Sequence, residues 1–539
     1  MDSKKICFIT CVSNSRDYEE CLFYINNLRI PDGFSIEIIG IRDILCMSKA
    51  YNNALEKTNA KYKVYINQNT LIINQNFIYD VLDLFNSDKD IGMIGMAGVK
   101  KLPISGVWFE LEEYNIVKVY NNFTREVEFI CKDDIKGDYE QVEVIDGLIM
   151  ITQYDIKWRE DIFDNSYFYD VSQCMEFNKK KYKIIIPNLK IPWCIYLGEK
   201  INRTDIYEDY RVKFIKEYER EIYSNLPLVS ILIPTYNQTL FLSQALTSAL
   251  NQTYKKIEII IGDDSTTDDV EKLVKVYMKY YNNIKYINNG GPLGGNGNIN
   301  QEKILKVAKG EYISYLFHDD LHNENRIEKM MNYFMNDGSL VLVSSSMNYI
   351  DEDNNVVRKQ SISSGKDIKM SGQDVIKETL VKLINFIGAP SMVIFKNIIE
   401  AEGIFTLDGN YITALVDVAA WIKLLEKGNM MYIDEVLSSF RLNKNQNSNN
   451  VLILSGSAPD WYYIIEYCYK NKLYIKNREQ YDKEMLLWYK SCAYLIKMFY
   501  EYKPEEFEMN EYNRLKYEMD KLIDKCELIV KNVCNNLEN

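Results

Sequence analysis

Histidine is almost missing from this chain: His318 and His322 are the only two in 539 residues. A site built on several imidazoles is therefore excluded, which removes most zinc and non-haem iron chemistry. The 11 cysteines are odd in number and scattered, with no Cys-x-x-Cys pair and no Cys/His cluster. That distribution argues against structural zinc and suits a reducing cytoplasm. No run of about 18 apolar residues occurs, so no integral membrane segment is expected. The stretch from Met1 to Thr10 is too short in apolar residues for a signal peptide, and the expected location is cytoplasmic. Positive charge is in deficit: 64 Lys and Arg against 77 Asp and Glu leave a net charge of -13. Nucleic acid is therefore not an expected partner. No basic amphipathic stretch offers attachment to an anionic membrane.

Apolar residues make up 47% of the chain, ample for ordinary cores, and the length calls for two or three domains. Two stretches share one rhythm of short apolar strands alternating with amphipathic helices, which argues for α/β units around a mainly parallel sheet. In the first, strands are expected at 5–10, 35–39 and 62–66, with helices at 19–28, 47–57 and 77–85. In the second, strands are expected at 228–233, closed by Pro234, and at 257–261, 284–287 and 312–317. Helices fall between them, the first marked by Leu240, Leu242, Leu246 and Leu250 on one face. The charged segment 201–226 has no run of core residues and reads as a connecting helix. Residues 451–539 have little glycine and carry Tyr and Leu at helical spacing, which predicts an extension of about four helices whose stripes are core. A faint repeat lays Ala60–Thr70 on 309–320, so that Tyr62 meets Tyr312 and Tyr65 meets Tyr315. In that register Asn69 falls on Asp319 and Thr70 on Asp320.

Chemistry concentrates in the second unit. Asp263-Asp264 and Asp319-Asp320 each follow an apolar strand, and in an open parallel sheet the ligand crevice lies at the strands' carboxyl ends. Adjacent carboxylates repel one another unless something neutralises them. A hard divalent cation, Mg²⁺ or Mn²⁺, bridging to a diphosphate would do so. Solvated acids capping the next helix are the plainer alternative for either pair alone. Gly290–Asn298 is rich in glycine and suits either backbone amides near a phosphate or a flexible turn.

Taken together and in order, Ser230–Asn237, Gln252-Thr253-Tyr254, Asp263-Asp264-Ser265 and His318-Asp319-Asp320 resemble a family 2 glycosyltransferase of the GT-A fold. The similarity continues through Ile387–Ser391, Gly403–Phe405, Asp417 with Trp421, and Ser439–Leu442 with Gln446 and Ser448. The resemblance implies that Pro234, Thr235 and Tyr236 cradle a nucleobase, that Asp264 accepts a hydrogen bond from it, and that Asp319 contacts ribose. It implies further that Asp320 holds the metal at the diphosphate and that Asp417 is the general base of an inverting displacement. Pro390, Ser391, Trp421 and Arg441 become candidates on the acceptor or diphosphate side. An N-cap role alone would also explain Asp417. Asn443 stands where the family has a histidine.

The first unit resembles another glycosyltransferase-like domain, the one named for a streptomycin-biosynthesis protein. The matching pieces are Ile6–Val12, Ala50-Tyr51-Asn52, Ala60–Tyr65, Ile91–Gly95, Ile145-Asp146-Gly147, Trp158–Asp161, Phe168–Asp170 and Glu176-Phe177. Here Asn67-Gln68-Asn69 replaces His-Gln-Asp and Trp193–Tyr196 ends in tyrosine where the family has histidine. Neutral amides cannot offset a divalent cation, so this domain is expected to be inactive, although Asp146 and Asp170 remain.

The expected fold class is thus α/β: two tandem GT-A-like domains, Rossmann-like and of the nucleotide-diphospho-sugar transferase kind, plus a C-terminal helical extension. The boundaries are 1–200, 201–226, 227–450 and 451–539. The expected activity is metal-dependent, inverting transfer of a sugar from a nucleotide sugar to an acceptor hydroxyl. The donor is expected to be UDP-linked, for example UDP-N-acetylglucosamine. The expected acceptor is a surface protein such as flagellin, with a lipid-linked or polysaccharide glycan as the alternative. A homo-oligomer is one assembly open to it. A non-catalytic acceptor-binding scaffold is the competing class. A nucleotidyltransferase is disfavoured, since Pro234–Gln238 lacks a Gly-rich, Lys/Arg-bearing loop.

Overall fold

In a computed structural model, the structure describes residues 1–539 except 43, 112–114, 122–127, 131–134, 136, 199–202, 364, 399–402, 444–449 and 538–539. Gln446 and Ser448 fall outside the described residues. The chain forms two compact units, Met1–Asn225 and Leu226–Asn539.

The first unit is built on a seven-stranded sheet. Its strands are β1 (Asp2–Cys11), β2 (Ser35–Ile41), β3 (Ala60–Ile66), β4 (Ile91–Ile94), β5 (Tyr139–Val142), β6 (Ile149–Thr152) and β7 (Lys183–Pro187). They lie in the order β5-β7-β4-β6-β3-β1-β2. Helix α1 (Tyr169–Lys179) precedes β7, and α2 (Asp205–Glu217) follows it. The connecting helix expected in 201–226 is α2, but the expectation that it lacks core residues is corrected. Tyr207, Tyr210 and Phe214 of α2 are buried, and Phe214 and Tyr218 stack among Phe163 and Phe168. Aromatic residues spaced three and four apart give this helix an apolar face despite its charge.

The second unit repeats the plan. Seven strands of its ten-stranded sheet are β8 (Val229–Thr235), β9 (Ile257–Asp263), β10 (Ile284–Asn288), β11 (Tyr312–Tyr315), β12 (Leu340–Ile350), β13 (Ile394–Lys396) and β14 (Asn429–Arg441), in the order β10-β9-β8-β11-β13-β12-β14. The run β2-β1-β3-β6-β4-β7 and the run β9-β8-β11-β13-β12-β14 match in order and in every strand direction. The register agrees as well: Tyr62 and Tyr65 lie opposite Ile6 and Ile9, and Tyr312 and Tyr315 opposite Val229 and Leu232. The faint repeat is therefore a repeat of fold. Most of the named strands in each sheet run in one direction, but each sheet is mixed, because β6 and β13 run antiparallel to both neighbours.

Beyond β14 come three long helices among the described residues, not four: α-helices Val451–Lys470, Arg478–Glu501 and Met509–Leu537. They share one apolar core with the second unit, in which Trp461, Tyr462 and Trp488 cluster with Trp421, Phe405 and Leu425. No helix among the described residues is long and apolar enough to cross a membrane.

Candidate active site

The carboxyl ends of β8, β9 and β11 form the first half of the site. β8 runs through Pro234 to Thr235 rather than stopping before the proline, because Pro234 and Thr235 still pair with Gly262 and Asp263. Its two neighbours are parallel strands, and the missing proline N–H is tolerated at the strand's end. Past it, Asn237 adopts a left-handed φ of 53°. Its N–H donates to Ser265 Oγ at 2.8 Å and its Oδ1 accepts the Thr266 N–H at 3.0 Å. These bonds fasten the loop after β8 to the loop after β9. Tyr236 is left 47% exposed beside the buried Thr235. Asp263 is occupied within the fold, accepting Tyr286 Oη at 2.5 Å and the Ser265 N–H at 2.8 Å. Asp264 is held by Asn289, whose Nδ2 lies 2.7 Å from Oδ1 and also reaches Asn300. The pair therefore divides its work: the first acid shapes the turn, and the second is aimed by an amide.

The second pair ends the short segment after β11. Asp320 is 1% exposed. Its Oδ1 accepts the Arg441 N–H at 3.0 Å, while its Oδ2 is buried without a hydrogen-bond donor. Burial first, and then the negative charge of Asp319, hold its carboxyl well above the usual range. A buried carboxylate oxygen without a donor is costly unless a proton or a cation satisfies it. This donor set fits a hard divalent cation completed by ligand oxygens. Among the described residues no group of three or more His, Cys, Asp or Glu could hold a metal by itself. Asp319 accepts Asn443 Nδ2 at 2.9 Å, so the residue at the family's histidine position contacts the acid pair.

Asp417 is the second residue of the helix Val416–Leu425, which lies between β13 and β14. It accepts Asn385 Nδ2 at 2.7 Å and the Val418 N–H at 2.8 Å. Burial raises its pKa to about 6 despite those two bonds. Asn385 also brackets Gly388, accepting its N–H and donating to its carbonyl, both at 3.1 Å. Three residues on, Ser391 Oγ accepts the Phe317 N–H at 3.0 Å. The Gly388–Ser391 loop thus joins the acid turn on one side to Asp417 on the other, with Pro390 opening its short 3-10 turn.

Two expected contacts are corrected. Trp421 is 1% exposed, donates Nε1 to the Gly388 carbonyl at 3.1 Å and packs against Phe395. It pins the loop from beneath and does not face an acceptor. Arg441 is fully buried. It donates to the carbonyls of Asp319 and Asp351 at 2.8 and 2.9 Å and to Gln244 at 2.9 Å, over the Phe241 ring. It buttresses the acid turn from behind and is not presented to a diphosphate. Asn289 and Asn385 are site residues that the motifs did not single out, and Asn443 joins them. Each is a neutral amide aimed at a carboxylate, and only Asn443 carried a signal, as the replacement of a family histidine.

In the glycine loop, Gly290, Gly291, Gly294, Gly295 and Gly297 all have left-handed φ, and the space beside all but Gly295 is open. Backbone conformation, not close packing, requires glycine there. In the first unit, Gln68 Oε1 accepts the Ser13 and Asn14 N–H groups at 2.9 and 3.1 Å, and Thr70 donates to the Leu148 carbonyl at 3.1 Å. Asp170 is the second residue of α1, the place Asp417 takes in its own helix. It lies beside the partly buried Asp146; desolvation and then the charge of Asp170 push Asp146 up to about 7.

Comparison with known proteins gives consistent matches. Residues 7–218 match the family described as glycosyltransferase like family, and residues 230–400 match glycosyl transferase family 2. An uncharacterized glycosyltransferase of Rickettsia typhi is 31% identical over 230 residues, 42% of this chain and 67% of that protein. The GalNAc(5)-diNAcBac-PP-undecaprenol beta-1,3-glucosyltransferase of Campylobacter jejuni is 26% identical over 287 residues, 52% of this chain and 85% of that protein. Among solved structures, S. aureus TarS 1-349 in complex with UDP-GlcNAc aligns at TM-score 0.37 and 16% identity, covering 53% of this chain and 78% of that one.

Proposed function

The chain belongs to glycosyl transferase family 2, and from that premise we propose that its second unit transfers a sugar, with inversion, from a nucleotide sugar to an acceptor hydroxyl. The observation that carries this reading is the buried Asp320, with one oxygen lacking a donor, beside Asp319 at the carboxyl end of the central strands. Pro234, Thr235, Tyr236 and Asp264 take the nucleoside, Asp319 the ribose, and Asp320 the cation, Mn²⁺ or Mg²⁺. When bound, the cation neutralises charge that develops on the leaving diphosphate. Asp417 takes the acceptor's hydroxyl proton as the new oxygen–carbon bond forms at the anomeric carbon and the bond to diphosphate breaks. The Gly388–Ser391 loop keeps base and acid turn in register.

A UDP-linked donor such as UDP-N-acetylglucosamine is the reading adopted. For the acceptor, a protein such as flagellin suits the tandem-domain organisation. The polyprenyl-linked substrate named for the C. jejuni relative supports the second reading, a lipid-linked glycan. The first unit, whose Asn69 and Thr70 stand in place of two carboxylates, takes no part in transfer and serves acceptor recognition or assembly. A wholly non-catalytic scaffold is disfavoured by Asp264, Asp319, Asp320 and Asp417 all being kept. The test is nucleotide release from a panel of nucleotide sugars by the full chain and by Asp417→Asn. Release from one donor that Asp417→Asn abolishes supports the reading. Release unaffected by Asp417→Asn removes the base assignment.

A further inference from the structure

The helix carrying Asp417 has no local cap. Leu415 occupies its N-cap position and makes no side-chain hydrogen bond there. The backbone leading into it is instead gripped by a residue 46 positions away, Asp460, on the first helix of the C-terminal extension. Asp460 Oδ2 accepts the N–H groups of Ala414 at 2.6 Å, Leu415 at 2.9 Å and Thr413 at 3.1 Å. Asp460 is 2% exposed. Gly456, one turn earlier, lies against Thr413 and Ala414. The same segment is held from its other side, where Asn298, at the end of the glycine loop, donates Nδ2 to the Thr413 carbonyl at 3.1 Å. The extension also touches that loop directly, since Asn296 donates to Glu511 at 2.8 Å.

Burying a carboxylate costs free energy that its hydrogen bonds only partly return, and burial raises the pKa of Asp460 to about 6 in spite of three amide donors. An apolar side chain would fill the same space at lower cost. What an apolar residue cannot do is converge three consecutive amides on one point and so fix the direction in which the following helix leaves.

We propose that the C-terminal extension is part of the active site and that Asp460 is a positioning residue, which orients the helix start so that Asp417 faces the reacting hydroxyl. The inference rests on Asp417 being the base. Its test uses the full chain and the variants Asp460→Ala, Asp460→Asn and Asp417→Asn. Hydrogen exchange read by mass spectrometry should show amides 413–420 exchanging about tenfold or more faster in Asp460→Ala. Amides of β8 should exchange as in the wild type. Asp460→Asn, which keeps one acceptor oxygen, should recover most of the protection. Release of UDP from UDP-N-acetylglucosamine should fall ~10- to 100-fold in kcat in Asp460→Ala, with donor KM unchanged. Unchanged exchange at 413–420, or faster exchange spread evenly over the chain, would overturn the proposal. If Asp417→Asn turns over like the wild type, the base assignment fails, while the exchange result still decides whether the extension holds this segment.

Discussion

Asn385 Nδ2 lies 2.7 Å from Asp417 Oδ2, and the same amide brackets Gly388 through both of its hydrogen-bonding groups. One side chain therefore sets both the charge state of the proposed base and the path of the loop that reaches the acid turn. Removing it with Asn385→Ala takes away a bond that favours the ionised carboxylate. The Asp417 pKa should rise further, and kcat at neutral pH should fall about tenfold. Kinetics across pH will check this: the acid limb should move to higher pH than in the wild type.

The wild-type limb has a defined place. Asp417 must be ionised to accept a proton, and burial raises its pKa to about 6. Activity should therefore rise with pH and level off above roughly 7, with kcat/KM reporting the free enzyme. Asp417→Asn should cost ~10²- to 10⁴-fold and leave no limb near 6. Folding stability moves the other way. A carboxyl whose pKa is raised by folding stabilises the protein below its unfolded value, near 3.8, and that contribution is lost as pH rises through 6.

Arg441 tests the buttress. Its guanidinium donates to the backbone carbonyls of Asp319, Asp351 and Glu352 and to Gln244 from a fully buried position. Lysine lacks the planar fork that serves these acceptors together. Arg441→Lys should lower stability by about 2–4 kcal/mol in chemical denaturation and weaken nucleotide binding, because the Asp319-Asp320 turn loses its backing. Unchanged stability and binding would show the fork to be dispensable.

Much of this architecture was legible in the sequence. Apolar strands and amphipathic helices alternate plainly, and the helix Met47–Lys57 falls where its pattern begins and ends. The tyrosine register of the repeat carried over into strand pairing. Strand direction was not legible: β6 and β13 are short apolar runs like any other, and nothing local records that they run against their neighbours. The acids were found because adjacent carboxylates at strand ends are chemically conspicuous. Trp421 and Arg441 were misread because a motif gives a residue's identity and not the direction of its side chain. Asn385 and Asp460 escaped notice because their partners lie 32 and 46 residues away, a separation that only the fold closes.

The two units are also expected to differ in kind. Substituting Asn69→Ala or Thr70→Ala in the first should leave UDP affinity of the full chain unchanged, within about twofold. The Thr70 side chain already serves the fold through the Leu148 carbonyl, and neither residue supplies charge to a cation. A loss of affinity from either would place a nucleotide in the first unit.

The central claim is that Asp320 holds a cation against a nucleotide diphosphate. Calorimetric titration of UDP into the full chain, with and without Mn²⁺, for the wild type and Asp320→Ala, tests it most directly. The account predicts that Mn²⁺ strengthens UDP binding by about tenfold or more in the wild type and has no such effect in the variant. Equal affinity with and without Mn²⁺, or an Asp320→Ala variant that responds to Mn²⁺ like the wild type, would contradict it.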